Sequence, residues 1–89
     1  MQKKEITIIN NLGLHARAAA KLVQTASSFS SEISVEYNSK KVSAKSIMGI
    51  MMLAAARGAK IVIATSGKDE QEALYALESL VLDRFGETE

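Results

Sequence analysis

With 89 residues, one His and no Cys, Pro or Trp, the chain has room for a single domain over residues 1–89. It holds no ligand set for a zinc finger, an iron–sulfur site or a disulfide scaffold. Hydrophobic residues at 47% fit a packed domain, while a formal charge of +1 makes no case for nucleic acid and no apolar run approaches the ~20 residues of a membrane span.

In chain order, Ile6 and Ile8 alternate with Glu5, Thr7 and Ile9, which predicts a strand with one mainly apolar face. Ala19, Leu22, Val23, Ala26 and Phe29 then recur at helical spacing, with Arg17, Lys21, Gln24 and Ser28 on the opposite side of an amphipathic helix. Ile33, Val35 and Tyr37 alternate with Glu32, Ser34 and Glu36 in a clean period of two. The turn formers Asn38 and Ser39 and the returning Val42 and Ala44 make residues 32–44 a hairpin. Ser46 opens a short apolar helix, expected from Ile47 to Ala56 and stopped at Arg57-Gly58. Ile61-Val62-Ile63 marks a strand over 60–65. Asp69, three residues before Glu72, predicts a capping box for a last helix whose stripe is Ala73, Leu74, Leu77, Leu80, Val81 and Phe85, closed by Gly86.

The order β-α-β-β-α-β-α, with one polar face on the second strand, predicts an α/β (α+β) two-layer open-faced sandwich with helices on one side of the sheet. These patterns alone do not separate that fold from a ferredoxin-like domain with an added helix.

Chemistry concentrates at Asn10-Asn11-Leu12-Gly13-Leu14-His15-Ala16-Arg17. Gly13 permits a sharp turn, and Ala16, Ala18, Ala19 and Ala20 favour a helix that begins at once. His15 then sits at a helix N-terminus, where the free N–H groups of Ala16 and Arg17 suit an anion and a neutral ring nitrogen is free to act as nucleophile. The Arg17 guanidinium can fork onto phosphate oxygens. A lone His ahead of a helix is more often a surface or capping residue, and spacing alone leaves that reading open. No second His, Gly-rich phosphate loop or credible carboxylate pair beside His15 is visible, so metal and leaving-group activation would fall to a partner.

Gly13-Leu14-His15-Ala16-Arg17, followed by its Ala-rich helix, closely resembles the active-site motif of the HPr family, the histidine phosphocarriers of the bacterial phosphotransferase system. The resemblance covers essentially the whole chain, including Lys45-Ser46-Ile47-Met48-Gly49 and Gly67-Lys68-Asp69-Glu70-Gln71-Glu72-Ala73. It implies a four-stranded antiparallel sheet in the order 1-4-2-3 with three helices on one face. It implies that His15 takes a phosphoryl group on Nδ1 from phosphorylated enzyme I, with Arg17 stabilising it, and passes it to sugar-specific or regulatory IIA proteins. No cofactor and no metal are implied, and the chain is expected to be a cytoplasmic monomer without membrane insertion; its N-terminus shows no signal-peptide core. The family usually has Pro after the Arg, where this chain has Ala18.

Ser46 reads from its position as a helix N-cap worth ~1 kcal/mol. The resemblance adds regulatory phosphorylation there by HPr kinase/phosphorylase. In the following run, Ile50 and Leu53 lie about 60° apart and can face the sheet, while Ile47, Met48, Met51 and Met52 point elsewhere. Crowding and resemblance together make Ile47, Met48 and Met51, with Leu14, Ala20, Lys21 and Gln24 of the first helix region, the expected docking surface, rimmed by Arg17 and Lys45. The rival functions are a purely regulatory, nitrogen-type phosphorelay carrier and an ACT-like small-molecule-binding domain, which leaves Gly13 to Arg17 without a reason. An RNA-recognition domain lacks the aromatic platform.

Overall fold

A computed structural model describes residues 1–89. Its elements are β1 (Gln2–Thr7), α1 (Ala16–Ser27), β2 (Glu32–Tyr37), β3 (Lys40–Ser43), α2 (Ile47–Met52), β4 (Lys60–Ser66) and α3 (Glu70–Leu82). The strands form one antiparallel sheet in the order β1-β4-β2-β3, as the resemblance implies. Asn38 and Ser39 join β2 to β3 with φ of 53° and 67°, the two consecutive positive values that a type I′ hairpin needs.

The register explains the two layers. Ile6 faces Ile61 across β1 and β4, and Val35 lies between Ile63 and Val42, so the centre of one face is apolar, with Lys4 and Gln2 of the edge strand β1 at its margin. Lys3, Ala64, Ser34 and Ser43 line up across the other face, which is open to water. All three helices cover the apolar face. Ala18, Ala19, Leu22 and Ala26 of α1, Ile50 of α2 and Ala73, Leu77 and Val81 of α3 complete a continuous core with the inner strand residues. At about 25 cal/mol per Å2 of apolar surface, this burial is the dominant force holding the helices to the sheet.

Three local expectations are corrected. The second helix ends at Met52 rather than Ala56, because Leu53 turns into the core and Ala54 takes φ of 52°, breaking the helical path. The capping box of α3 does not form. Asp69 makes no side-chain cap; its carboxylate accepts instead from the amides of Ser30 and Ser31, at 2.9 and 3.0 Å, and from the Ser31 hydroxyl. It thereby ties the α1–β2 turn to the start of α3. The Ser31 hydroxyl, followed by the Ser30 amide, lowers the Asp69 carboxyl to about 2. Finally, α3 stops at Leu82, and Arg84, Phe85 and Gly86 form a left-handed turn with φ of 56°, 55° and 78°. Phe85 remains fully buried and anchors the turn, so the tail beyond it doubles back across the start of α1.

Candidate phosphoryl-transfer site

The β1–α1 loop is built around Gly13, whose φ is +65°. A Cβ there would lie 2.6 Å from the Ala55 carbonyl oxygen, so only glycine lets the loop lie against the α2–β4 connection. The Leu14 amide donates to that carbonyl at 2.9 Å. The Leu14 side chain turns inward and is buried, which removes it from the expected docking surface and makes it the peg that fixes the next residue. His15 follows as the N-cap of α1, with extended backbone and no side-chain cap bond. The Ala16, Arg17 and Ala18 amides consequently have no acceptor, and no acidic residue occupies the first turn. His15, Ala16 and Arg17 thus meet where the sequence places them, at a helix end with free donors.

What the sequence does not disclose is the carboxylate. Glu87, 72 residues away along the chain, places Oε2 on His15 Nε2. Its other oxygen, Oε1, accepts from Asn10 Nδ2 at 3.0 Å. The sequence offers no carboxylate pair beside His15, and the structure brings a single carboxylate, that of Glu87, onto the ring. The His15 hydrogen bond holds the Glu87 carboxyl below its usual range against the opposing effect of burial, and Asn10 contributes further. An ionised Glu87 can only accept, so the neutral ring carries its proton on Nε2 and keeps its lone pair on Nδ1. Only the left-handed turn at 84–86 makes this contact, and no local pattern around His15 signals it.

Arg17 is exposed and has no carboxylate within salt-bridge distance. It borders a recess of about 280 Å3 lined also by Asn11, Leu12, Glu87, Thr88 and Glu89. The other expected rim cations are committed elsewhere. Lys21 Nζ donates to the Phe85 carbonyl at 2.6 Å and Lys45 Nζ to the Phe29 carbonyl at 2.8 Å, each neutralising a chain turn. Ala20 and Gln24 are exposed on α1. A broader depression, about 560 Å3, lies on the open face of the sheet among residues such as Lys3, Ser34 and Lys41, on the side away from the helices.

Ser46 is the N-cap of α2, its Oγ accepting from the Gly49 amide at 3.1 Å. Beyond it, Ile50 and Leu53 are buried, whereas Met48 is 70% exposed, Met52 67%, and Ile47 and Met51 over 40%. Met52 thus joins the apolar patch, beyond the residues expected there from the sequence. A six-residue helix has one inner position to spare, and Ile50 fills it.

A family profile described as the PTS HPr component phosphorylation site matches residues 2–83. The chain belongs to the HPr family. It is 54% identical over 89 residues to the phosphocarrier protein HPr of Cupriavidus necator and 56% identical to that of Neisseria meningitidis serogroup A, covering all of both chains in each case. Among solved structures, it superposes with a TM-score of 0.96 on the HPr of Thermoanaerobacter tengcongensis, at 52% identity over the full length of both chains. The HPr of Bacillus anthracis gives a TM-score of 0.87 at 46% identity, over 90% of this chain and 95% of that one. As an HPr-family member, the chain is a phosphocarrier of the phosphotransferase system whose partners are proteins of that system. No helix is long and apolar enough to cross a membrane.

Proposed function

We propose that His15 accepts a phosphoryl group on Nδ1 from phosphorylated enzyme I and passes it to IIA proteins. The observation that carries this reading is the Glu87 carboxylate on Nε2, which leaves Nδ1 as the nucleophilic atom of a residue at a helix end with three free amides. In the transfer, the Nδ1 lone pair forms the N–P bond as the bond from phosphorus to the donor breaks, its electron pair leaving with the donor. Nε2 keeps its proton, and the ring's new positive charge faces Glu87. The exposed Arg17 and the amides of Ala16 and Arg17 provide donors for the phosphoryl oxygens.

Docking rests on Ile47, Met48 and Met51 beside Ala20 and Gln24, an adaptable apolar patch suited to a carrier that must release both a donor and an acceptor quickly. Phosphorylation of Ser46 by HPr kinase/phosphorylase would add roughly two negative charges to the edge of that patch and weaken docking of acidic partners. The Ser46-Ile47-Met48-Gly49 motif favours this regulated carrier over the nitrogen-type relay. The protein acts as a cytoplasmic monomer without cofactor or metal of its own.

The test is incubation with phosphoenolpyruvate, magnesium and enzyme I. An acid-labile phosphoryl group is expected on the wild type and absent from His15→Ala; a wild type that fails to label sinks the proposal. Incubation with ATP and HPr kinase, with Ser46→Ala as control, tests the regulatory serine in the same way.

A further inference from the structure

Asn10 is fully buried, yet its side chain is not fully satisfied. Nδ2 donates to the Gly13 carbonyl at 2.9 Å and to Glu87 Oε1 at 3.0 Å, while Oδ1 has no partner. The orientation is forced. Two acceptors, a backbone carbonyl and a carboxylate, converge on one end of the amide, so the NH2 group must face them and the oxygen is left stranded. Leaving a buried acceptor unpaired destabilises a fold, and such exceptions concentrate where function constrains a residue. A second cost stands beside it. Arg84 and Phe85 both hold left-handed backbone that non-glycine residues avoid, and the turn they make is what returns Glu87 to His15. The returning tail is secured at three further points: the buried Phe85 ring, the Lys21 bond to the Phe85 carbonyl, and the Asn11 amide donating to the Glu89 carbonyl at 2.7 Å.

We propose that Asn10 is a positioning residue for phosphoryl acceptance, a buried clamp that joins the His15 loop to the C-terminal tail and holds Glu87 on Nε2. One donor group grips both parts. Through Gly13 it fixes the loop that carries His15, and through Glu87 Oε1 it aims the opposite carboxylate oxygen at the ring. Asn10 touches neither the ring nor the phosphoryl group. Its effect passes through Glu87, which restrains ring rotation and faces the positive charge that appears when the N–P bond forms. This inference rests on the phosphocarrier reading for its kinetic consequence, but the clamp itself is measurable without any donor.

The first measurement is nuclear magnetic resonance of 15N-labelled protein. The His15 Nε2–H proton should be downfield and slow to exchange in the wild type, and lost to exchange with solvent in Glu87→Ala. Asn10→Ala should bring it close to the Glu87→Ala behaviour. Asn10→Asp fills the same space without the donors and sets a second carboxyl group against Glu87, so it should fail as Asn10→Ala does; full protection in this variant would mean that Asn10 serves only as packing. The reciprocal measurement uses the tail, where folding is not at risk: in Glu87→Ala, the Asn10 Nδ2 protons should lose protection, and unchanged protection overturns the clamp. With enzyme I limiting, the initial labelling rate should fall about tenfold in Asn10→Ala and in Glu87→Ala, the size expected for one lost charge-assisted hydrogen bond. The double variant should be no slower than Glu87→Ala alone. Multiplicative losses in the double variant would refute action through Glu87. A wild type that accepts no phosphoryl group would refute the carrier reading, and the exchange data would still decide the clamp.

Discussion

Replacing Gly13 by Ala separates the backbone demands of the His15 loop from its packing demands. A Cβ at Gly13 would meet the Ala55 oxygen at 2.6 Å and the Ala56 Cα at 2.8 Å. Ordinary contact distances are about 3.5 Å, so the α2–β4 connection must retreat by about 1 Å. That retreat stretches the 2.9 Å bond from the Leu14 amide to the Ala55 carbonyl past the limit of a hydrogen bond. Left-handed backbone at a non-glycine residue costs about 1–2 kcal/mol and the lost hydrogen bond about 1 kcal/mol, giving about 2–3 kcal/mol in all. Gly58 is the internal control. Its φ is +90°, but no atom lies within 4 Å of the place a methyl group would occupy, so Gly58→Ala carries the backbone cost alone. Urea unfolding followed by circular dichroism should show Gly13→Ala less stable than Gly58→Ala by about 1 kcal/mol at unchanged slope, or about 4–8 °C in melting temperature. Because the shifted loop carries His15, Gly13→Ala should also label more slowly while Gly58→Ala does not. Equal losses of stability in the two variants would refute the close-approach argument.

Three further outcomes follow from the same geometry. Ala18→Pro should raise stability by about 0.5–1 kcal/mol and keep labelling, since the Ala18 amide has no acceptor to lose and lies in the first turn of α1; a destabilised variant would show that the turn cannot take the ring. Ser46→Ala should cost about 1 kcal/mol in urea unfolding through loss of the bond from the Gly49 amide, and no cost would mean that Ser46 does not cap α2. Asp69 is held at about 2, below its unfolded value near 4, so its contribution is complete above about pH 4 and disappears as the pH falls toward 2. Asp69→Asn should therefore be less stable than the wild type at neutral pH and converge with it in that acid window; a constant difference at every pH would exclude the carboxylate as the cause.

Period, turn residues and cap residues determined the element order, and for a physical reason: each is a property of a few neighbouring residues. The alternation of Ile33, Val35 and Tyr37, the Asn38-Ser39 turn and the Ser46 cap all survive in the structure because nothing distant competes with them. The placement of His15 and Arg17 at the start of α1 is local in the same sense. Where two local patterns offered partners to the same group, tertiary contact chose. Asp69 had a capping box within reach but bonds Ser30 and Ser31 instead, since those donors lie across the gap between α1–β2 and α3. Leu14 lies within the motif and Lys21 shortly after it, yet the core takes the first and the Phe85 carbonyl the second. The single His was legible from the Gly13 to Arg17 motif as the candidate phosphoryl acceptor. Its surroundings were not, because Asn10 and Glu87 lie five and 72 residues from it, and only the left-handed turn at Arg84 to Gly86 closes that distance.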